Sequence, residues 1–201
     1  MIRLGLTGSI GMGKSTASRQ LARLGLPVHD ADAVVHRLLA KGGSAVRHVQ
    51  AVFPDAVVEG EVDRQRLGAL VFGDTSALAK LESILHPLVK RAEHRFLQRA
   101  RRQRRFAVVL DIPLLFEGGG RRFDAVIVVT CPAFLQEQRV MARSGMTREK
   151  LAAIRDRQMP DAEKRRRADI VIPTGIGYRP ALRRLCAVLG RLRRPRGADQ
   201  G

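Results

Sequence analysis

One stretch, Gly8-Ser9-Ile10-Gly11-Met12-Gly13-Lys14-Ser15, limits what this chain can fold into more than any other. It follows G-x-x-x-x-G-K-[ST], a spacing that lets backbone N–H groups close around a phosphate. Its setting is the required one. An apolar run, Ile2 to Leu6, precedes it and reads as a strand. A helical pattern with Ala17, Leu21 and Leu24 on one face follows. Glycines keep Cβ atoms away from the bound anion. The helix opening near Gly13 adds the positive end of its dipole. Lys14 is placed to reach β- and γ-phosphates, and the Ser15 hydroxyl to ligate Mg²⁺.

The remaining periodicities extend this start into a three-layer α/β fold with a five-stranded parallel sheet. Gly25 stops the first helix, and Leu26 to Asp30 reads as the second strand. Ala33 to Lys41 is helical, and a further helix carries Val46, Val49 and Phe53 up to Pro54. Val57 to Val62 reads as a small turn. From Asp63 to Arg102 the pattern is helical, with Pro87 expected to interrupt it. That length is unusual for one crossover, so the region reads as a helical insert, about residues 60–102. Phe106 to Leu110, Asp124 to Val129 and Ile170 to Ile172 supply the third, fourth and fifth strands. The third and fourth are continuous apolar runs, as in strands buried on both faces. Helices are expected at Ala133 to Arg143, Thr147 to Gln158, Asp161 to Arg167 and Pro180 to Leu192, with a frayed tail from Arg193. The whole chain, 1–201, reads as one domain.

Composition removes several function classes. No apolar run reaches membrane-span length, and the first strand starts at the N-terminus, so neither an anchor nor a signal peptide is expected. Cys131 and Cys186 form no spaced framework and read as reduced thiols of a cytoplasmic protein. The formal net charge is +18, which raises the question of nucleic acid. Aromatic residues are only 4% of the chain, so no stacking platform for single strands is evident. Arg far outnumbers Lys, and the charge equally suits polyphosphate substrates. No dedicated nucleic-acid partner is expected.

Ligands of open α/β sheets bind beyond the carboxyl ends of the strands. That rule selects the loop after strand one, Asp30 and Asp32 after strand two, and Asp111 to Glu117 after strand three. It also selects Cys131 after strand four and Thr174 to Gly177 after strand five. Asp32 is either a proton acceptor for a hydroxyl nucleophile or the cap of the following helix. Asp30 is a structural partner or a contact for Mg²⁺-bound water. Asp111 stands where such folds keep an acid that assists Mg²⁺. Arg139 and Arg143, four apart, are read as sharing a helix face that could clamp phosphate oxygens. The arginines up to Arg167 read mostly as a solvated face. No His cluster has metal spacing.

The chain contains no Asn, so it has no N-K-x-D guanine-reading stretch, and ATP is the better nucleotide. Its motifs in order are Leu6 to Thr16, Leu24-Gly25, Asp30-Ala31-Asp32, Asp63-Arg64 with Leu67, Leu81-Glu82 leading to Leu85-His86-Pro87, and Asp111-Ile112-Pro113-Leu114-Leu115-Phe116-Glu117. Gln136 with Arg139 and Arg143, Gln158 and Ala168-Asp169 follow. From Leu4 to about Gly177 this succession resembles the dephospho-CoA kinase family. The resemblance implies transfer of the ATP γ-phosphoryl group to the ribose 3′-hydroxyl of dephospho-CoA, with Mg²⁺ as cofactor held by Ser15 and Asp111. It implies phosphate binding by Gly11, Met12, Gly13, Lys14, Ser15 and Thr16, and catalysis by Lys14, Asp32 and Arg139. It implies acceptor binding by Asp32, Asp63, Arg64, His86, Pro113, Leu114, Glu117 and Arg143, and a helical lid over about residues 139–165. Another small-molecule or nucleotide kinase of this fold is the alternative. The chain departs from the family at Ser9 and Met12 and at Pro173-Thr174, where relatives often carry Asp-Asn near the adenine. Backbone contacts to adenine are implied there. The basic C-terminal tail has no family role.

Overall fold

The computed structural model describes residues 1–118 and 123–193, so the expected frayed tail, apart from Arg193 at its start, which is helical, lies outside the described residues. In chain order it begins with β1 (Ile2–Thr7), α1 (Lys14–Arg23), β2 (Val28–Asp30), α2 (Ala31–Leu39) and α3 (Val46–Val52). Next come β3 (Val57–Val58), β4 (Glu61–Val62), α4 (Arg64–Val71) and α5 (Thr75–Arg102). The last part holds β5 (Ala107–Asp111), β6 (Ala125–Thr130), α6 (Ala133–Met141), α7 (Arg148–Arg157), α8 (Asp161–Arg167), β7 (Ile170–Pro173) and α9 (Tyr178–Arg193). The chain divides into two compact units. One contains Met1–Val28 and the chain from Gln103 onward, and the other contains His29–Arg102.

The first unit is built on the five-stranded parallel sheet, ordered β2-β5-β1-β6-β7. β1 is central. Leu4 lies in register with Val109 of β5 on one side and Ala125 of β6 on the other. Period-2 alternation sends Leu4, Leu6, Val109, Ile127, Val129 and Ile172 into one core with Ala17 and Leu21 of α1 and Leu185 and Leu189 of α9. The alternate positions Val108, Leu110 and Val128 are buried as well. Both faces are therefore covered, which is why the strands read as unbroken apolar runs. Each fully buried Leu or Ile contributes about 1.5–3 kcal/mol relative to exposure.

The second unit has its own core, formed by Leu39, Val46, Val49, Phe53, Leu67 and Leu81 among others. The expected turn at Val57 to Val62 is a small antiparallel hairpin, with Val57 opposite Val62. Asp74 caps α5, donating nothing and accepting from the N–H groups of Ser76 and Ala77. Pro87 does not end this helix; α5 continues through it to Arg102. Pro87 lies on the exposed side, where water can take the Ser83 carbonyl that the proline ring cannot bond. Meanwhile Leu81, Ile84, Leu85 and Leu88 hold both halves against the core. Packing overrides the local penalty. No helix among the described residues is long and apolar enough to cross a membrane.

Candidate active site

β1 stops at Thr7 and α1 begins at Lys14, so residues 8–13 form the glycine loop. Gly13 caps α1 with φ of 88°, and no side chain bonds the cap. The first N–H groups of the helix therefore have no protein side chain on them, which suits an anion. Gly11 also has positive φ, 75°, and a Cβ there would lie 2.6 Å from Val140 Cγ2. Both positions require glycine.

Lys14 and Asp111 meet at the end of the sheet. Lys14 Nζ donates to Asp111 Oδ1 at 2.6 Å. Asp111 closes β5 in register with Leu6 of β1 and is 1% exposed. A buried carboxylate at that place demands a cationic partner, and Lys14 supplies one.

Long-range side chains frame the loop. Gln158 Oε1 accepts the Ile10 N–H at 3.2 Å, and Gln136 Nε2 donates to the Ile10 carbonyl at 2.9 Å. Arg155 Nη2 donates to Gln136 Oε1 at 2.8 Å. Thr174 Oγ1 donates to the Met12 carbonyl at 2.7 Å. Arg139 donates to the Thr174 carbonyl at 3.1 Å and to Thr174 Oγ1 at 3.2 Å, with Gly11 O at 3.5 Å. Cys131 packs beneath, its Sγ 3.4 Å from Met12 Sδ, and burial pushes this thiol up from its ordinary pKa despite Arg139 nearby. A cavity of about 270 Å³ borders the loop, lined by Ser9, Met12, Gln136, Arg155, Gln158 and Asp161, among others.

The turn after β5 is tied down too. Thr7 Oγ1 donates to the Pro113 carbonyl at 2.9 Å, while Leu114 is 47% exposed. Glu117 Oε1 accepts the Met159 N–H at 2.9 Å and lies 2.9 Å from Lys164 Nζ. Burial alone raises the Glu117 pKa. Lys164 and the backbone N–H groups outweigh burial and hold it below the usual carboxylate range. Lys164 is fully buried within a segment whose arginines read from sequence as a solvated face. The reason is helical geometry: Asp161 and Lys164, three apart, share the inward side of α8, which packs on β6. Asp161 Oδ2 accepts from Thr130 Oγ1 at 2.8 Å. Arg165, Arg166 and Arg167 are exposed as expected. Arg143 lies two residues past the end of α6, in an exposed turn, so it does not continue the helix face of Arg139.

In the second unit the cap of α2 is Asp30, not Asp32. Asp30 Oδ1 accepts the Ala33 N–H at 2.9 Å. Asp32 sits in the exposed first turn with its carboxylate released from capping. His36 is four residues on and shares its face. Arg64 Nη1 reaches His36 Nε2 at 2.7 Å. Asp63 caps α4, accepting from Gln65 N–H at 2.9 Å and Arg66 N–H at 3.2 Å. His86 is exposed on α5. A groove of about 670 Å³ in this unit is lined by Ser44, Leu88, Lys90, Arg91, His94 and Arg95. Ser15 is exposed at the start of α1, and Thr16 follows it in the first turn.

His36, Gln136, Gln158 and Lys164 are not among the site residues selected from sequence, whereas Thr174 opens the stretch selected after strand five. Gln136 and Gln158 do belong to the motif succession, which was the available signal for them.

The family model for dephospho-CoA kinase matches residues 2–176. The dephospho-CoA kinase of Mesorhizobium japonicum is 55% identical over 199 residues, covering 98% of this chain and all of that protein. That of Paramagnetospirillum magneticum is 63% identical over 163 residues, 81% of this chain and 77% of that one. The crystal structure of TT1252 from Thermus thermophilus superposes with a TM-score of 0.82 at 41% identity, covering 95% of this chain and 97% of that one. Dephospho-CoA kinase from Campylobacter jejuni gives 0.64 at 27% identity, over 94% and 96%. With its phosphate loop, its parallel sheet and these relatives, the chain belongs to the dephospho-CoA kinase family.

Proposed function

We propose that this protein transfers the γ-phosphoryl group of ATP to the ribose 3′-hydroxyl of dephospho-CoA, giving coenzyme A and ADP, the last step of coenzyme A synthesis. The observation that carries this reading is the glycine loop opening onto the uncapped N-terminus of α1, with Lys14 held by Asp111, in a chain of this family. Backbone N–H groups from Gly11 to Thr16 bind the phosphates, and Lys14 neutralises the charge on the transferring group. Arg139, already directed at Gly11, adds a second cation. Asp32 takes the proton of the acceptor hydroxyl; its release from capping leaves it available.

Mg²⁺ fits the donor set. The Ser15 hydroxyl and the Asp111 carboxylate are hard oxygen ligands, and Asp111 ends its strand level with the start of the loop. When bound, the ion would neutralise charge on the phosphate oxygens. Asp63, Arg64 and His86 in the helical insert, with Pro113 and Leu114 after β5 and Arg143, contribute to holding dephospho-CoA. The basic lining of the 670 Å³ groove supports an anionic acceptor on the insert. The segment from Arg139 to about Arg165 acts as the lid that keeps water from the γ-phosphate. We place the protein in the cytoplasm, consistent with free Cys131 and Cys186.

The test is ADP release with dephospho-CoA, shikimate, AMP and nucleosides as acceptors. Turnover is expected with dephospho-CoA alone. Turnover with another acceptor and none with dephospho-CoA would sink the reading.

A further inference from the structure

Lys164 is the anomaly of α8. It is 0% exposed, while Arg165, Arg166 and Arg167 beside it reach solvent. A buried ammonium carries a desolvation penalty of several kcal/mol, and a well-packed apolar pair often replaces a buried ion pair without loss of stability. Stability alone therefore does not account for Glu117 and Lys164. Their position does. Glu117 Oε1 lies 2.9 Å from Lys164 Nζ and accepts the Met159 N–H at 2.9 Å. The residue before Met159 is Gln158, whose Oε1 accepts the Ile10 N–H inside the glycine loop. Gln136 holds the Ile10 carbonyl from α6, and Arg155 of α7 holds Gln136. The first half of the loop is thus clasped through one residue, Ile10.

We propose that Glu117 is a positioning residue. Pinned by Lys164, it fixes the backbone at Met159, so that Gln158 grips Ile10 and keeps the loop in its phosphate-binding shape. Glu117 acts on the nucleotide through Gln158, without touching it. The inference rests on the loop as the ATP site and is independent of which acceptor is used.

The experiment is calorimetric titration of the full chain with ATP and Mg²⁺, without acceptor, in a double-mutant cycle. Its arms are Gln158→Leu, the paired replacement Glu117→Leu with Lys164→Met, and all three substitutions together. The paired replacement buries no lone charge, and a thermal melt of each variant confirms that it folds. Gln158→Leu is expected to weaken ATP binding about tenfold, the worth of one hydrogen bond. The paired replacement should do about the same. The triple variant should be no weaker than either, because both arms break one connection. Additive losses, about a hundredfold together, would overturn the proposal. So would a paired replacement that shifts the melting temperature and leaves ATP affinity unchanged. An unsubstituted chain that binds no ATP would instead overturn the nucleotide reading itself.

Discussion

Asp30 and Asp32 stand two residues apart; Asp30 caps α2, and the proton-accepting role is the one proposed for Asp32. Asp30→Ala should therefore destabilise the protein by about 0.5–2 kcal/mol in chemical denaturation. Asp32→Asn should leave stability within about 0.5 kcal/mol and lower kcat by roughly 10²–10⁴, with ATP affinity retained. A near-normal rate in that variant would reduce Asp32 to a positioning group. Lys14→Ala should cost on the order of 10²–10³ in kcat, because it removes a preorganised charge from the phosphate site. Sequence alone left the two aspartates unresolved, since either residue type at either position suits a helix N-terminus. Lys164 was illegible for another reason. Its partner, Glu117, lies on the far side of β6 in sequence, and a run of cations reads as solvated until the inward face of a short helix is known.

At the scale of elements, the strand–loop–helix start and the apolar strands were legible because local pattern and tertiary environment agree there. α5 was not, because the proline rule was followed locally and packing overrides it. The helix still bears the cost of Pro87. Pro87→Ala is expected to raise stability by about 1–3 kcal/mol, measured by urea unfolding at unchanged m-value. A proline kept at a cost beside exposed His86 suits a place where shape serves the acceptor, so the same variant should raise KM for dephospho-CoA. Unchanged KM would assign Pro87 no part in binding. In the loop framework, Arg139 and Thr174 were legible as candidates, while the grip of Gln136 and Gln158 on Ile10 was not, because neutral amides carry no periodic signal.

For the whole molecule, acid should act through Glu117. Its folded pKa is depressed, so its contribution to stability is present above the ordinary carboxylate value, about 4.3, and is lost as pH falls through the folded value. Stability measured from pH 6 downward should therefore decline in the acid limb. Glu117→Gln should flatten that decline and lower neutral stability by about 3–5 kcal/mol by leaving Lys164 buried without a counter-charge. An unchanged acid slope in the variant would count against Glu117 as the titrating group. The two cores, one on the sheet and one inside residues 29–102, should also report separate protection in native-state hydrogen exchange.

The pairing of β1 has a consequence for how the protein is made. Both of its neighbours, β5 and β6, lie about 100 or more residues downstream, beyond the whole helical unit. During vectorial synthesis the glycine loop emerges long before β5 and β6 exist to pair with β1. The helical unit, one continuous stretch with a core of its own, can assemble in the meantime. The sheet unit is begun first and completed last, so the nascent chain's most exposed hazard is an apolar β1 waiting for its partners.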